Sequence, residues 1–145
     1  MSYRIGLDLG GTKVLGIVTD NEHKVVHRKK HRLSNRTDIS AVMDQISNVY
    51  FELEGQLGNE KIASVGIALP SPVDNKLGHA KHLTAFQEKE LPVRAMLKER
   101  TGVDIKLGND VNMATLAEYK FGAGRGVLSL FTFYPGTGLG GGYIY

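Results

Sequence analysis

Three stretches of the 145-residue sequence combine residue types that handle phosphate and protons. The first is Asp8-Leu9-Gly10-Gly11-Thr12-Lys13, an acid followed by a tight turn. That turn offers backbone N–H groups with little side-chain bulk, a hydroxyl and an ammonium, all suited to phosphate oxygens. The second, Gly108-Asn109-Asp110-Val111-Asn112, places a carboxylate among neutral amides just after a short apolar run. The third, Gly136-Thr137-Gly138-Leu139-Gly140-Gly141-Gly142, is another glycine-rich turn bearing Gly-Thr. Taken singly, the first stretch also reads as an ordinary hairpin with an exposed acid beside it. Two familiar phosphate patterns do not apply. Gly136, Gly138 and Gly141 satisfy G-x-G-x-x-G, but a strand follows where a dinucleotide site needs a helix. Lys13 lacks the four-residue spacer and the following Ser or Thr of a P-loop.

These residues need a frame that brings them together. Ile5, Leu7 and Leu9 alternate with Gly6, Asp8 and Gly10, the two-residue period of a half-buried strand ending at the turn. Residues 12–20 and 23–32 read as two more strands joined at Asn21-Glu22. Asp38 is a plausible N-cap for a helix whose stripe is Ile39, Val42, Met43, Ile46, Val49, Tyr50, Leu53 and Leu57, with Gly55 and Gly58 marking its end. Residues 62–69 form a short apolar run expected to be a strand buried on both faces, stopped by Pro70 and Pro72. Residues 78–86 read as an irregular loop of the kind that carries binding groups. A helix over 91–101 follows, with Pro92 in its first turn and Gly102 at its C-terminal cap. A strand over 103–107 then feeds directly into a helix over 111–121, so Asp110 stands at a strand's C-terminal end, where open α/β sheets put their ligands. A strand over 127–134 and the start of another at 143–145 flank the last turn. Antiparallel strands first and parallel strands after them make an α/β fold with a mixed sheet and helices on its faces.

Composition narrows the function classes. The chain is 41% hydrophobic and 23% charged, as expected of a globular protein, and its net charge of +3 demands no nucleic-acid partner. With no cysteine there is no disulfide framework and no thiolate metal site. No apolar run reaches the length of a membrane span and no signal-peptide pattern is present, so a cytoplasmic location with no membrane partner is expected. His23, His27 and His31 are evenly spaced, but on one strand successive members would share a face about 13 Å apart, too far for one ion. The basic run Arg28-Lys29-Lys30-His31-Arg32 lacks interleaved aromatics and reads as a solvated edge strand.

The three stretches together, with Ala114 and Glu118 after the second and with Gly66-Ile67-Ala68-Leu69-Pro70-Ser71-Pro72-Val73-Asp74 between, resemble the ROK family of sugar kinases. That family belongs to the actin/hexokinase/Hsp70-like superfamily. The resemblance runs in register along the whole chain. It implies a ribonuclease-H-like lobe over residues 1–122 with a mixed five-stranded sheet, and the first hairpin of an incomplete second lobe over 123–145. It also implies ATP held between two turns and Mg²⁺-assisted transfer of its γ-phosphoryl group to a hexose hydroxyl. In that reading Gly10, Gly11, Thr12 and Lys13 hold phosphate oxygens, as do Gly136, Thr137 and Gly138 from the other side. Asp8 holds Mg²⁺ through water, Asp110 accepts the proton from the attacking hydroxyl, and Asn109 hydrogen-bonds the sugar. Asn112 supports the site and Glu118 is structural.

The sugar loop departs from the family pattern Pro-Asn-Leu-Pro-Gly-Trp. Here it is Lys81-His82-Leu83-Thr84-Ala85-Phe86, which leaves His82 as the candidate sugar contact. The family is about twice as long, and the second half carries most of the adenosine pocket, a sugar-binding glutamate and histidine, and often a zinc site. The chain alone is therefore expected to have little or no kinase activity, and to pair with a second copy or with a separate C-terminal half. No helix-turn-helix precedes Tyr3, which argues against the family's repressor branch. A non-catalytic sugar or nucleotide sensor is the alternative. A two-metal nuclease built on Asp8 and Asp110 would leave both glycine turns unexplained.

Overall fold

The computed structural model describes residues 2–135 and 139–145. The chain opens with β1 (Ser2–Leu9), β2 (Lys13–Thr19), β3 (Val25–Arg32), α1 (Ile39–Leu57) and β4 (Lys61–Leu69). Three short strands follow, β5 (Val73–Asp74), β6 (His79–Leu83) and β7 (Glu88–Leu91). The remainder is α2 (Val93–Thr101), β8 (Lys106–Asn109), α3 (Asp110–Phe121), β9 (Leu130–Pro135) and β10 (Leu139–Ile144). The central sheet has the order β3-β2-β1-β4-β8. Its first three strands are antiparallel neighbours, while β4 and β8 run parallel to β1. This is the expected α/β, ribonuclease-H-like mixed five-stranded sheet.

Alternation decides which face is core. Ile5, Leu7 and Leu9 of β1, Val14 and Val18 of β2, and Val65, Ile67 and Leu69 of β4 are buried on one side. They meet the helical stripe Val42, Met43, Ile46, Val49, Tyr50 and Leu53, and burial at about 1.5–3 kcal/mol per large apolar side chain makes this the main stabilising contact. Asp38 caps α1, its carboxylate accepting from Ser40 and Ala41 N–H. Gly16 lets β2 approach α1, since a Cβ there would lie 2.6 Å from Leu53 Cδ1 and 2.8 Å from Val49 Cγ1. α2 joins the same side, where Arg100 donates to Asp44 at 2.6 Å and to Ser40 Oγ at 2.7 Å. Gly102 ends α2 in the left-handed conformation, with its N–H donating to Lys98 O.

The opposite face of the sheet carries Gly6, Asp8, Leu15, Ile17 and Ala68, with α3 beside it. Here several expectations change. β4 is fully buried on one face only, because its Gly66 and Ala68 side faces the cleft rather than a helix. Gly55 lies inside α1, and Gly58 is the C-cap at φ 59. The loop expected over residues 78–86 is not irregular: it holds β6 and a 3-10 turn over Thr84–Phe86, and β6 is the central strand of a β5-β6-β7 sheet. Strands of two to five residues with mixed composition have no periodicity to read. Val103, Asp104 and Ile105 precede β8 instead of belonging to it, and α3 begins at Asp110. His23 sits in the β2–β3 turn at φ 64, so it shares no strand face with His27 and His31. Among the described residues no group of three potential ligands could hold a metal ion. β3 is an edge strand, as the charge run suggested.

β9 and β10 form a separate two-stranded sheet against α3. Two glycines permit the approach: a Cβ at Gly140 would collide with Val111, and one at Gly142 with Thr115. Thr115 and Thr132 hydroxyls hydrogen-bond at 2.5 Å across this contact.

Candidate active site

The turn after β1 is held by its carbonyls. Gly10 N–H donates to Lys13 O at 2.8 Å, Leu33 N–H to Thr12 O at 3.0 Å, and the Arg36 guanidinium to Gly11 O at 3.1 Å. Among the described residues the N–H groups of Gly11 and Thr12 and the Thr12 hydroxyl have no partner. A turn braced through C=O groups with unpaired N–H groups is an arrangement that accepts an anion.

Asp110 is placed by the parallel strands. Asp8 is the register partner of Ala68 in β4, and Ala68 is the partner of Gly108 in β8, two residues before Asp110. Both carboxylates therefore come to the same end of the sheet. Asn109 is the N-cap of α3, its Oδ1 accepting from Asn112 N–H at 3.0 Å. Its Nδ2 donates to Ser71 O at 3.2 Å and to Asp110 Oδ1 at 3.1 Å. Asp110 Oδ1 also accepts from Val111 N–H at 2.8 Å. The Asp110 side chain is thus oriented through one oxygen, while Oδ2 has no partner among the described residues.

Asp8 and Asp110 line one cavity of about 560 Å³ with Leu15, Ile17, Met113 and Tyr134. Asp8 keeps one side open to solvent, yet the protein packed around it costs its carboxylate hydration. That loss raises its pKa above 3.8, the charge of Asp110 raises it further, and Lys13 opposes both. A carboxylate held this way gains from a cation beside it. An oxygen-preferring ion such as Mg²⁺ fits a site that supplies one carboxylate and leaves the other positions to water and phosphate.

Turn 10–13, Asp8, Asn109 and Asp110 are brought to one end of the sheet. His82 is not among the residues lining the cavity: its side chain is exposed on β6, and its backbone N–H donates to Ser71 Oγ at 2.9 Å. Gly136, Thr137 and Gly138 lie outside the described residues. Two contributors had gone unread in the sequence. Ser71, 2% exposed, links β6 to Asn109, and its only signal was a polar residue between two prolines. Arg36 reaches the turn from a loop whose path no local pattern encodes.

A family model described as ROK family matches residues 4–145. A glucokinase from Streptomyces coelicolor is 31% identical over 144 residues, covering 99% of this chain and 44% of that protein. The structure of a ROK family glucokinase from Streptomyces griseus in complex with glucose and AMPPNP superposes with a TM-score of 0.85 at 29% identity, covering 98% of this chain and 44% of that one. The DNA-binding transcriptional repressor Mlc of Escherichia coli is 25% identical over 144 residues, 98% of this chain and 36% of its own length. The chain thus spans less than half the length of these relatives.

Proposed function

We propose, for a chain that belongs to the ROK family, that its cleft serves ATP-dependent phosphorylation of a hexose or hexose-derivative hydroxyl. The observation that carries this reading is the convergence of a braced turn with unpaired N–H groups and two carboxylates on one cavity. Phosphoryl transfer needs positioning and charge neutralisation more than covalent chemistry, and these are what the residues offer. The turn 10–13 grips phosphate oxygens through Gly11 and Thr12 N–H, the Thr12 hydroxyl and the Lys13 ammonium. Asp8 is the residue that would hold Mg²⁺, through water, and the bound ion would supply neutralisation of phosphate charge. Asp110, oriented through Oδ1, takes the proton of the attacking hydroxyl on Oδ2. Such a general base contributes about 10²–10⁴-fold. Asn109 has both amide hydrogens engaged, so it meets the sugar as an acceptor, through the second lone pair of Oδ1.

Residues 123–145 read as the start of a second lobe. Tyr134, two residues before Gly136, already lines the cavity with both carboxylates, which supports Gly136, Thr137 and Gly138 as the opposing phosphate turn. The relatives named above include a glucokinase and a structure holding glucose and AMPPNP, and this favours ATP as donor and a hexose as acceptor. The Mlc match favours a second reading, a sugar or nucleotide sensor without turnover.

The test joins the second half of a ROK glucokinase in frame after Tyr145 and assays ADP release with a hexose panel. Turnover is expected, with Asp110→Asn lowering kcat about 10²–10⁴-fold. Sugar and nucleotide binding without turnover would favour the sensor, and turnover unaffected by Asp110→Asn would refute the assigned base.

A further inference from the structure

The carbonyl of Gly11 is held by a side chain. Arg36 Nη1 donates to Gly11 O at 3.1 Å, and among the described residues that oxygen has no other donor. Its near neighbour Ala85, whose methyl lies 3.4 Å from where a Gly11 Cβ would stand, offers no hydrogen bond. The next two carbonyls, those of Thr12 and Lys13, are held instead by Leu33 N–H and Gly10 N–H. The Gly11–Thr12 peptide thus depends on Arg36, where the two peptides after it depend on backbone.

Arg36 is not needed to hold its own loop. Ser34 N–H donates to Gln45 Oε1 at 2.9 Å, the Thr37 hydroxyl donates to Asn35 Oδ1 at 3.0 Å, and Asp38 caps α1. No carboxylate engages its charge either, since Arg36 makes no ion pair among the described residues. What its bond fixes is direction. In a trans peptide C=O and N–H point opposite ways, so holding Gly11 O aims Thr12 N–H away from Arg36. Gly11 has no Cβ to resist rotation of that peptide, so without Arg36 it can turn over freely. A reversed peptide would present Gly11 O to a phosphate in place of Thr12 N–H.

We infer that Arg36 is a positioning residue for phosphoryl transfer, setting Thr12 N–H toward the phosphate without touching the phosphate itself. This rests on the reading of turn 10–13 as the phosphate grip. A charged donor also polarises the peptide it binds, which strengthens Thr12 N–H as a donor to an anion. Gly11 N–H belongs to the preceding peptide, whose orientation Arg36 does not set. The two amides therefore respond differently to the loss of Arg36.

The test titrates the ¹⁵N-labelled 145-residue chain with AMPPNP and Mg²⁺ and follows the Gly11 and Thr12 amides. Arg36→Met removes the donor and keeps an unbranched stem, while Arg36→Lys keeps a charged donor. Lys30→Gln, at an exposed position on β3, is a control that also removes one positive charge. Urea midpoints verify that all three fold. Arg36→Met is expected to lose about tenfold in AMPPNP affinity. At saturation its Thr12 amide loses the ligand-induced shift, while its Gly11 amide keeps one. Arg36→Lys is expected to restore the Thr12 shift and stay within about threefold of wild type. Lys30→Gln should behave as wild type. Wild-type shifts and affinity kept by Arg36→Met would overturn the inference alone. So would equal loss at both amides, the mark of a purely structural role, or a Lys30→Gln loss equal to that of Arg36→Met. No shifts at the turn in wild type would overturn the phosphate reading, and the inference with it.

Discussion

Asn109 joins the start of α3 to the loop after β4, and replacing it separates its two tasks. Asn109→Ala removes the N-cap bond to Asn112 N–H, a loss of about 0.5–2 kcal/mol. It also removes the donor to the carbonyl of Ser71, a residue only 2% exposed, and an unsatisfied buried acceptor costs about 1–3 kcal/mol. The two together predict a loss of about 1.5–5 kcal/mol, a large part of the ~5–15 kcal/mol that holds a domain folded. Asn109→Ser keeps the cap and loses only the amide donors, so it should cost about 1–3 kcal/mol. Asn109→Asp also keeps the cap but sets a second carboxylate against Asp110, and it should cost more at pH 7 than near pH 4. Urea unfolding followed by circular dichroism reads these as shifts in midpoint with unchanged slope. An Asn109→Ala loss below about 0.5 kcal/mol, the level of an inert surface change, would refute the reasoning. So would an Asn109→Ser variant as unstable as Asn109→Ala.

Three further outcomes follow from the same geometry. The Asp8 carboxyl lies above its usual 3.8 in the folded chain, so the folded state binds its proton more tightly than the unfolded state. Its contribution to stability therefore falls as pH rises from near 3.8 through the folded-state pKa. Asp8→Asn should accordingly stabilise the chain at pH 7 and progressively less toward pH 4; destabilisation at pH 7 in urea titrations would contradict this. Asp110→Asn should lower the Asp8 pKa without restoring 3.8, because burial is the larger cause, as a carboxyl ¹³C titration can read. Gly16→Ala should cost about 1–3 kcal/mol by overpacking fully buried Leu53 and Val49. Gly108→Ala meets the end of Met113, a flexible side chain 42% exposed, and should cost less; the reverse order in unfolding midpoints would count against this packing.

Periodicity over long segments made most of the fold legible. The stripe of α1 and the alternation of β1 announced themselves because one face of each is buried and the other is wet. The β5-β6-β7 sheet was not legible, because its strands are short and its pairing depends on a turn at Gly78 and on Glu90 at φ 49. β4 looked buried on both faces because glycine and alanine on its cleft side are as apolar as core. Within the site, Asp8, turn 10–13 and Asp110 could be found because each ends a strand. Ser71 and Arg36 act through tertiary contacts across 38 and 25 residues, and no local pattern carries those. The sequence also marks Asn109 as a sugar contact without showing that its amide hydrogens are engaged elsewhere.

The central claim is that turn 10–13 and the two strand-end carboxylates form one phosphoryl-transfer site. The most direct measurement is a ¹H–¹⁵N correlation spectrum of the labelled chain titrated with AMPPNP, with and without Mg²⁺. Saturable, Mg²⁺-dependent shifts are expected, centred on the amides of Gly10, Gly11, Thr12 and Lys13 and on Asp8, and abolished by Lys13→Met. Shifts centred elsewhere in the chain, or none at the turn at saturating nucleotide, would contradict it.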